Sequence, residues 1–343
     1  VEQVLPEQTP LPEDEAGWHR VWLAGEMMLV VGLEAAEKDD VGQELLPNLC
    51  QQMGDLLTAG ALTPQQRSEV GELLAKLGEM RPDVACEVPE TVEVPAGSFL
   101  MGSDKIKDEY VVGDETPQHE VTLPAYRIGK YPVTNAQFAR FVQAGGYANE
   151  GYWTKAGWAE RKKQGWTEPR HSDNPRYNQA NQPVVGVSWY EAVAYCNWLK
   201  VTTGRDFRLP NEAMWEKAAR GTQGQIYSWG DEWDAAKLNT IETSINRPSA
   251  VGIFPDGKSP YEAFDMCGNV WEWCSTVHGE QYPFREVVYE KEVDGLYPRR
   301  LRGGAFSYDE RYCRAAFQGI GDSGGRENDV GFRVAENLPV VDT

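Results

Sequence analysis

Trp271-Glu272-Trp273, preceded by Asp265-Met266-Cys267-Gly268-Asn269-Val270 and followed by Cys274, constrains this chain more than any other stretch. In an extended strand the two indoles share one face and Glu272 points to the other, which puts a carboxylate beneath or beside large apolar rings. A carboxylate so placed needs a partner. An arginine is one candidate. A hard cation is the other, because Asp265, Glu272 and the carbonyls of the Gly268-Asn269 turn are oxygen donors of the kind Ca2+ prefers.

At 343 residues the chain has room for one large domain and a smaller one. Its 12 Trp, 34 Gly and 21 Pro suit an irregular, loop-rich domain better than a helical bundle. The formal charge of −20 is uneven, with 18 acids against five bases in residues 1–90. Such a chain has no electrostatic footprint for nucleic acid, and an anionic membrane would repel it. Its longest apolar run, Met27 to Leu33, is too short to span a bilayer. With Val1 at the start and no export signal near it, the sequence reads as a piece of a larger soluble protein with further domains N-terminal to it. The six cysteines fall in no CxxC pair, and a reducing cytoplasm suits them better than a disulfide framework.

Residues 1–14 read as a linker, and helical patterning begins at Glu15. A second helix is predicted from Val41 to Leu57, and a third from Thr63-Pro64-Gln65-Gln66, where Thr caps and Gln reaches back. These helices are too few for an independent core, so they should pack on the domain that follows. The predicted boundary falls at residues 86/87. Thr91–Pro95 and Phe99–Met101 read as a hairpin across Ala96-Gly97-Ser98. Thr134 and Ser188 open capped helices, Asn211–Arg220 reads as a further helix with Met214, Trp215 and Ala218 inward, and residues 145–182 between the first two read as a long loop. Arg326-Glu327-Asn328-Asp329 reads as a solvated run of mixed charge. No phosphate-binding Gly-Lys-Ser/Thr loop occurs.

Gly268-Asn269-Val270-Trp271-Glu272-Trp273, Arg302-Gly303-Gly304 and Gly331-Phe332-Arg333-Val334 together resemble the signature of the formylglycine-generating-enzyme/sulfatase-modifying-factor family. Upstream blocks, among them Val94-Pro95-Ala96-Gly97-Ser98-Phe99, Tyr131-Pro132-Val133-Thr134-Asn135 and Arg208-Leu209-Pro210-Asn211-Glu212, extend the resemblance over about Val92 to Val334. It implies an α+β, C-type-lectin-like fold with small antiparallel sheets and long loops. It also implies two Ca2+ sites, one using Asn239 and Thr240, the other Asp265, Gly268, Val270 and Glu272. The family's enzymes oxidise a client cysteine with copper held by two thiolates just after the Arg-Gly-Gly strand, and Cu(I) demands sulfur. By register from Gly304, Tyr308 stands in place of the first thiolate and the second has no counterpart. Cys313 lies where the family does not bind copper, so no copper is expected. The related iron-dependent sulfoxide synthases use a histidine-rich helical domain, whereas this chain has four scattered histidines. The helical N-terminal segment is loosely similar to the tail joining a STAND-type ATPase to a lectin-like sensor.

Between Arg302 and Arg333, aromatics interleave with small and polar residues in the manner of a binding surface. Phe306, Ser307, Tyr308, Asp309, Tyr312, Phe317, Gly319, Gly321, Asp322 and Ser323 are the candidate ligand-binding residues. The same segment is diversified in the lectin-fold variable proteins of diversity-generating retroelements, which this chain resembles. The reading is therefore a non-catalytic recognition module for a protein or other macromolecule. The alternative is a copper-dependent oxidoreductase that generates formylglycine.

Overall fold

The computed structural model describes residues 1–279 and 297–338. Four helices open it: α1 (Glu15–Val31), α2 (Leu33–Lys38), α3 (Asp40–Ala59) and α4 (Pro64–Leu77). α4 begins with the reciprocal cap its sequence predicts, Gln66 Oε1 accepting from the Thr63 amide at 2.9 Å. Trp18, Val21, Met53, Leu57, Val70 and Leu74 meet in one apolar cluster, which Ile245, Ile253 and Phe254 complete. The helices thus share their core with the chain that follows. Arg81, buried, fixes the junction by donating to the Val251 carbonyl at 2.8 Å.

The rest of the chain is built from β1 (Thr91–Val94), β2 (Gly97–Met101), β3 (His119–Leu123), β4 (Tyr126–Gly129), α5 (Asn135–Gln143), α6 (Lys155–Gln164) and α7 (Trp189–Thr203). It continues through β5 (Phe207–Arg208), α8 (Glu212–Arg220), β6 (Trp271–Val277), β7 (Arg299–Arg302), β8 (Gly319–Gly321), β9 (Val330–Gly331) and β10 (Ala335–Asn337). Short strands assemble into a sheet of order β1-β4-β10-β5, a ribbon β2-β3, and a sheet of order β8-β7-β6-β9. This is the α+β arrangement that the sequence implies.

The predicted hairpin does not form. β1 pairs with β4 and β2 with β3, so the chain crosses from one sheet to the other at Pro95–Gly97. The Lys217 ammonium, drawn in from α8, donates to the carbonyls of Pro95 and Gly97 at 2.7 and 2.8 Å and stabilises the bend in place of a hairpin turn. Residues 145–182 also differ from expectation, because they contain α6. Its only fully buried residue is Gly157, so it shows no apolar stripe from which a sequence could reveal it. Thr134 and Ser188 cap α5 and α7 as predicted, and Asn211, expected as the first residue of α8, is its cap instead.

Candidate functional site

β6 delivers the two sides of the site. Its side chains alternate, so Trp271 and Trp273 face one way and Glu272 the other. Glu272 is fully buried and finds its partner in Arg333, whose Nε and Nη2 approach its two oxygens at 2.6 Å each; Trp215 Nε1 adds a third bond at 2.6 Å. Arg333 spends its remaining donors on the carbonyls of Gly129 (2.8 Å) and Phe264 (2.9 Å). The pair ties the end of the chain to its centre.

On the opposite face lies a cleft of about 400 Å³. Trp271, Tyr308, Tyr312 and Phe317 form its aromatic wall, each ring 5.1–5.9 Å from its neighbours, mostly edge to face. Gly319 and Gly321 of β8 form the floor. A Cβ at Gly321 would come within 2.4 Å of the Trp273 ring, so only glycine lets the strand lie against it. Asp322, Glu327 and Asp329 form the remaining side, and among the described residues no basic one lines the cleft.

Asp329 is the best placed of these acids for proton transfer. Its carbonyl accepts from the Trp271 amide at 2.8 Å and its Oδ2 from the Ser307 hydroxyl at 3.2 Å. Burial pushes its carboxyl above the usual carboxylate range; Ser307 opposes that shift and Glu327 adds to it. Burial also raises the Tyr308 phenol, and Asp329 reinforces the effect.

Of the residues expected to bind ligand, Tyr308, Tyr312, Phe317, Gly319, Gly321 and Asp322 line this cleft. Phe306 and Ser323 do not, being buried beneath it, with the Ser323 hydroxyl donating to the Tyr297 carbonyl. Asp309 turns outward to Arg311 at 2.6 Å, and Ser307 takes part only through Asp329. Sequence reasoning missed Trp271, Glu327 and Asp329. In the run 326–329, Glu327 and Asn328 are exposed as expected, whereas Arg326 and Asp329 are half-buried; the run leads into β9, and the two-residue spacing of Glu327 and Asp329 was the available signal.

The calcium candidates are engaged within the protein. Asn239 and Thr240 both accept from the Thr243 hydroxyl, through Oδ1 at 3.2 Å and the main-chain carbonyl at 2.8 Å. The Asn239 carbonyl also accepts from the Asn269 amide at 2.8 Å. Gly268 turns at φ 78°, with the Asn239 carbonyl where a side chain would stand. Val270 is buried in a small apolar cluster. Asp265 accepts from the Gly252 amide at 2.8 Å, and burial pushes its carboxyl up to about 6. Among the described residues, no three His, Cys, Asp or Glu side chains converge, so a Ca2+ ion here would depend on Asn and main-chain oxygens.

Copper does not fit the cleft either, since no sulfur lines it. Cys267 and Cys313 sit behind it in an apolar cluster with Tyr227 and Leu238, and Cys274 is equally buried. Burial pushes the Cys267 thiol up to about 11 and raises Cys313 as well, which disfavours the thiolates that copper needs.

Residues 76–338 match the model of the sulfatase-modifying factor enzyme 1-like domain. The chain belongs to this family. It is 33% identical over 259 residues to hercynine oxygenase of Mycolicibacterium smegmatis, a match covering 69% of this chain and 58% of that protein. It is 31% identical over 292 residues to the formylglycine-generating enzyme of Streptomyces coelicolor, covering 73% of this chain and 90% of that one. The solved structure of PvdO from Pseudomonas aeruginosa superposes with a TM-score of 0.59 at 27% identity, over 74% of this chain and 97% of the other. The chain thus spans a little over half the length of the hercynine oxygenase it matches.

These relatives overturn the expectation of a non-catalytic recognition module. At such identity, family members named as an oxygenase and a formylglycine-generating enzyme favour an enzyme. Tyr308 in place of a thiolate, and four scattered histidines in place of a histidine-rich domain, had suggested an inactive member. Among the described residues no helix is long and apolar enough to cross a membrane.

Proposed function

We propose that this family member is an oxidoreductase whose cleft takes a positively charged small molecule or side chain. The observation that carries the reading is the composition of the cleft: an aromatic wall faces Asp322, Glu327 and Asp329, with no basic lining residue among those described. Ring faces attract cations through their quadrupoles, and a nearby carboxylate strengthens the site when water is excluded. Oxidative chemistry is supported by the names of the relatives, hercynine oxygenase and formylglycine-generating enzyme.

In this reading Trp271, Tyr308, Tyr312 and Phe317 hold the charged end of the substrate. Asp329, once ionised, accepts a proton from it; a carboxyl raised by burial is a better base than an exposed one. The copper form of the reaction has no donor set here, so no step is assigned to that metal.

The test is oxygen uptake by the purified protein with a panel of alkylammonium compounds, betaines and cysteine peptides, with products identified by mass spectrometry. Oxygen uptake with a cationic substrate should fall about 100-fold or more in Asp329→Asn, the usual scale for loss of a positioned base. Phe317→Ala should chiefly raise KM. Turnover of a neutral cysteine peptide, with no response to cations, would refute the proposed specificity.

A further inference from the structure

The acidic side of the cleft carries its own potential antagonist. Arg326 lies between Gly325 and Glu327, both of which line the cleft, yet it is itself absent from the lining. Its guanidinium points into the protein. Nη2 lies 3.0 Å from Oε1 of Glu191, Nε donates to the Gly186 carbonyl at 3.1 Å, and Nη2 also reaches the Glu168 carbonyl. The Trp166 ring lies 4.8 Å away, stacking against the group. Glu191 is fully buried at the start of α7, held by the Ser188 amide and hydroxyl at 2.7 Å each and by the Tyr147 phenol. Burial of Glu191 favours its neutral form, and Arg326 is the first of the groups opposing that tendency. His171 stands near Arg326, and burial followed by Arg170 and Arg326 lowers its pKa; it adds little charge at neutral pH.

We propose that Glu191 holds Arg326 out of the cleft, so that Arg326 does not pair with Glu327 or Asp329 there and the site selects a cation. Glu191 and Arg326 are therefore specificity-determining residues that need not touch the substrate. The inference rests on the cation-binding reading of the cleft. The physical reason is reach. An arginine next in sequence to Glu327 can turn to either carboxylate, and a bidentate pair with Asp329 would cancel the attraction for substrate. A buried anion on α7 offers the guanidinium a lower-dielectric partner and keeps the two signs apart.

The experiment measures tetramethylammonium binding by isothermal calorimetry, and Asp329 titration by side-chain 13C NMR, in the full chain. Glu191→Gln retains an oxygen for the Ser188 cap but removes the charge paired with Arg326, leaving it the Gly186 and Glu168 carbonyls and the Trp166 ring. Affinity should fall about tenfold or more, the effect of one like charge arriving within a few ångströms of the ligand. Glu191→Gln/Arg326→Gln should restore affinity to near the wild-type value, which a merely structural role for Glu191 would not do. In Glu191→Gln the titration of Asp329 should move down, as a guanidinium arrives beside it. Unchanged affinity in Glu191→Gln, or a double variant no better than the single, would overturn the proposal. If the wild-type chain fails to bind the probe, the cation-binding reading fails. The NMR arm then still decides, since an unmoved Asp329 titration means Glu191 does not keep Arg326 away.

Discussion

Breaking the Glu272–Arg333 pair should expose how much of the molecule depends on it. Both side chains are fully buried, and each carboxylate oxygen lies 2.6 Å from an arginine nitrogen. Arg333→Met leaves an anion with only Trp215 as donor, and it removes donors from the Gly129 and Phe264 carbonyls. An uncompensated buried charge costs about 3–5 kcal/mol. Each carbonyl losing its donor adds about 1 kcal/mol. The sum is comparable with the whole stability of an ordinary domain, about 5–15 kcal/mol, so this variant should be largely unfolded in mild urea. Glu272→Gln is gentler, because Arg333 keeps its carbonyl acceptors and the amide oxygen can still accept one bond; about 3 kcal/mol is expected. Combining Glu272→Leu with Arg333→Met removes both charges, and the double variant should be more stable than Arg333→Met alone by about 2 kcal/mol or more. Urea unfolding followed by tryptophan fluorescence measures each value. Single variants costing under about 1 kcal/mol, with strict additivity in the double, would show that the pair is not the partner relation argued here.

Asp265 gives a pH-dependent test. Its folded pKa, about 6, lies above the ordinary 3.8, so the folded state holds the extra proton. Its favourable contribution is complete below about pH 4 and is lost as pH rises through about 6. Asp265→Asn should therefore match the wild type at pH 4 and exceed it by up to about 3 kcal/mol above pH 7, at 1.36 kcal/mol per unit. A difference that does not change with pH would contradict the buried placement of this carboxyl. Gly321→Ala should cost about 1–3 kcal/mol, because its Cβ would press into the Trp273 ring, and thermal unfolding would detect the loss. Iodoacetamide at pH 7.5 should leave Cys267, Cys274 and Cys313 unmodified in the folded protein, as peptide mass spectrometry would show, because all three are covered and burial also raises the Cys267 and Cys313 thiols.

Much of the fold was legible in the chain. Capping residues at Thr63, Thr134, Ser188 and Asn211 act over three or four positions, so the sequence located those helices directly. Likewise the Trp271-Glu272-Trp273 alternation determined that a carboxylate would face away from two indoles. The partner of that carboxylate was not legible: Arg333 lies 61 residues away, and both an arginine and a cation satisfied the local chemistry. Strand pairing at Pro95–Gly97 was equally hidden, because the decisive Lys217 contacts come from α8. At the cleft, the sequence marked Tyr308, Tyr312, Phe317 and Asp322, which lie in one stretch between β7 and β9. Only the tertiary structure joined them to Trp271, Glu327 and Asp329, and only it turned Arg326 inward to Glu191. Local patterns follow from the period of a helix or strand, whereas a site depends on contacts between distant segments that no period encodes.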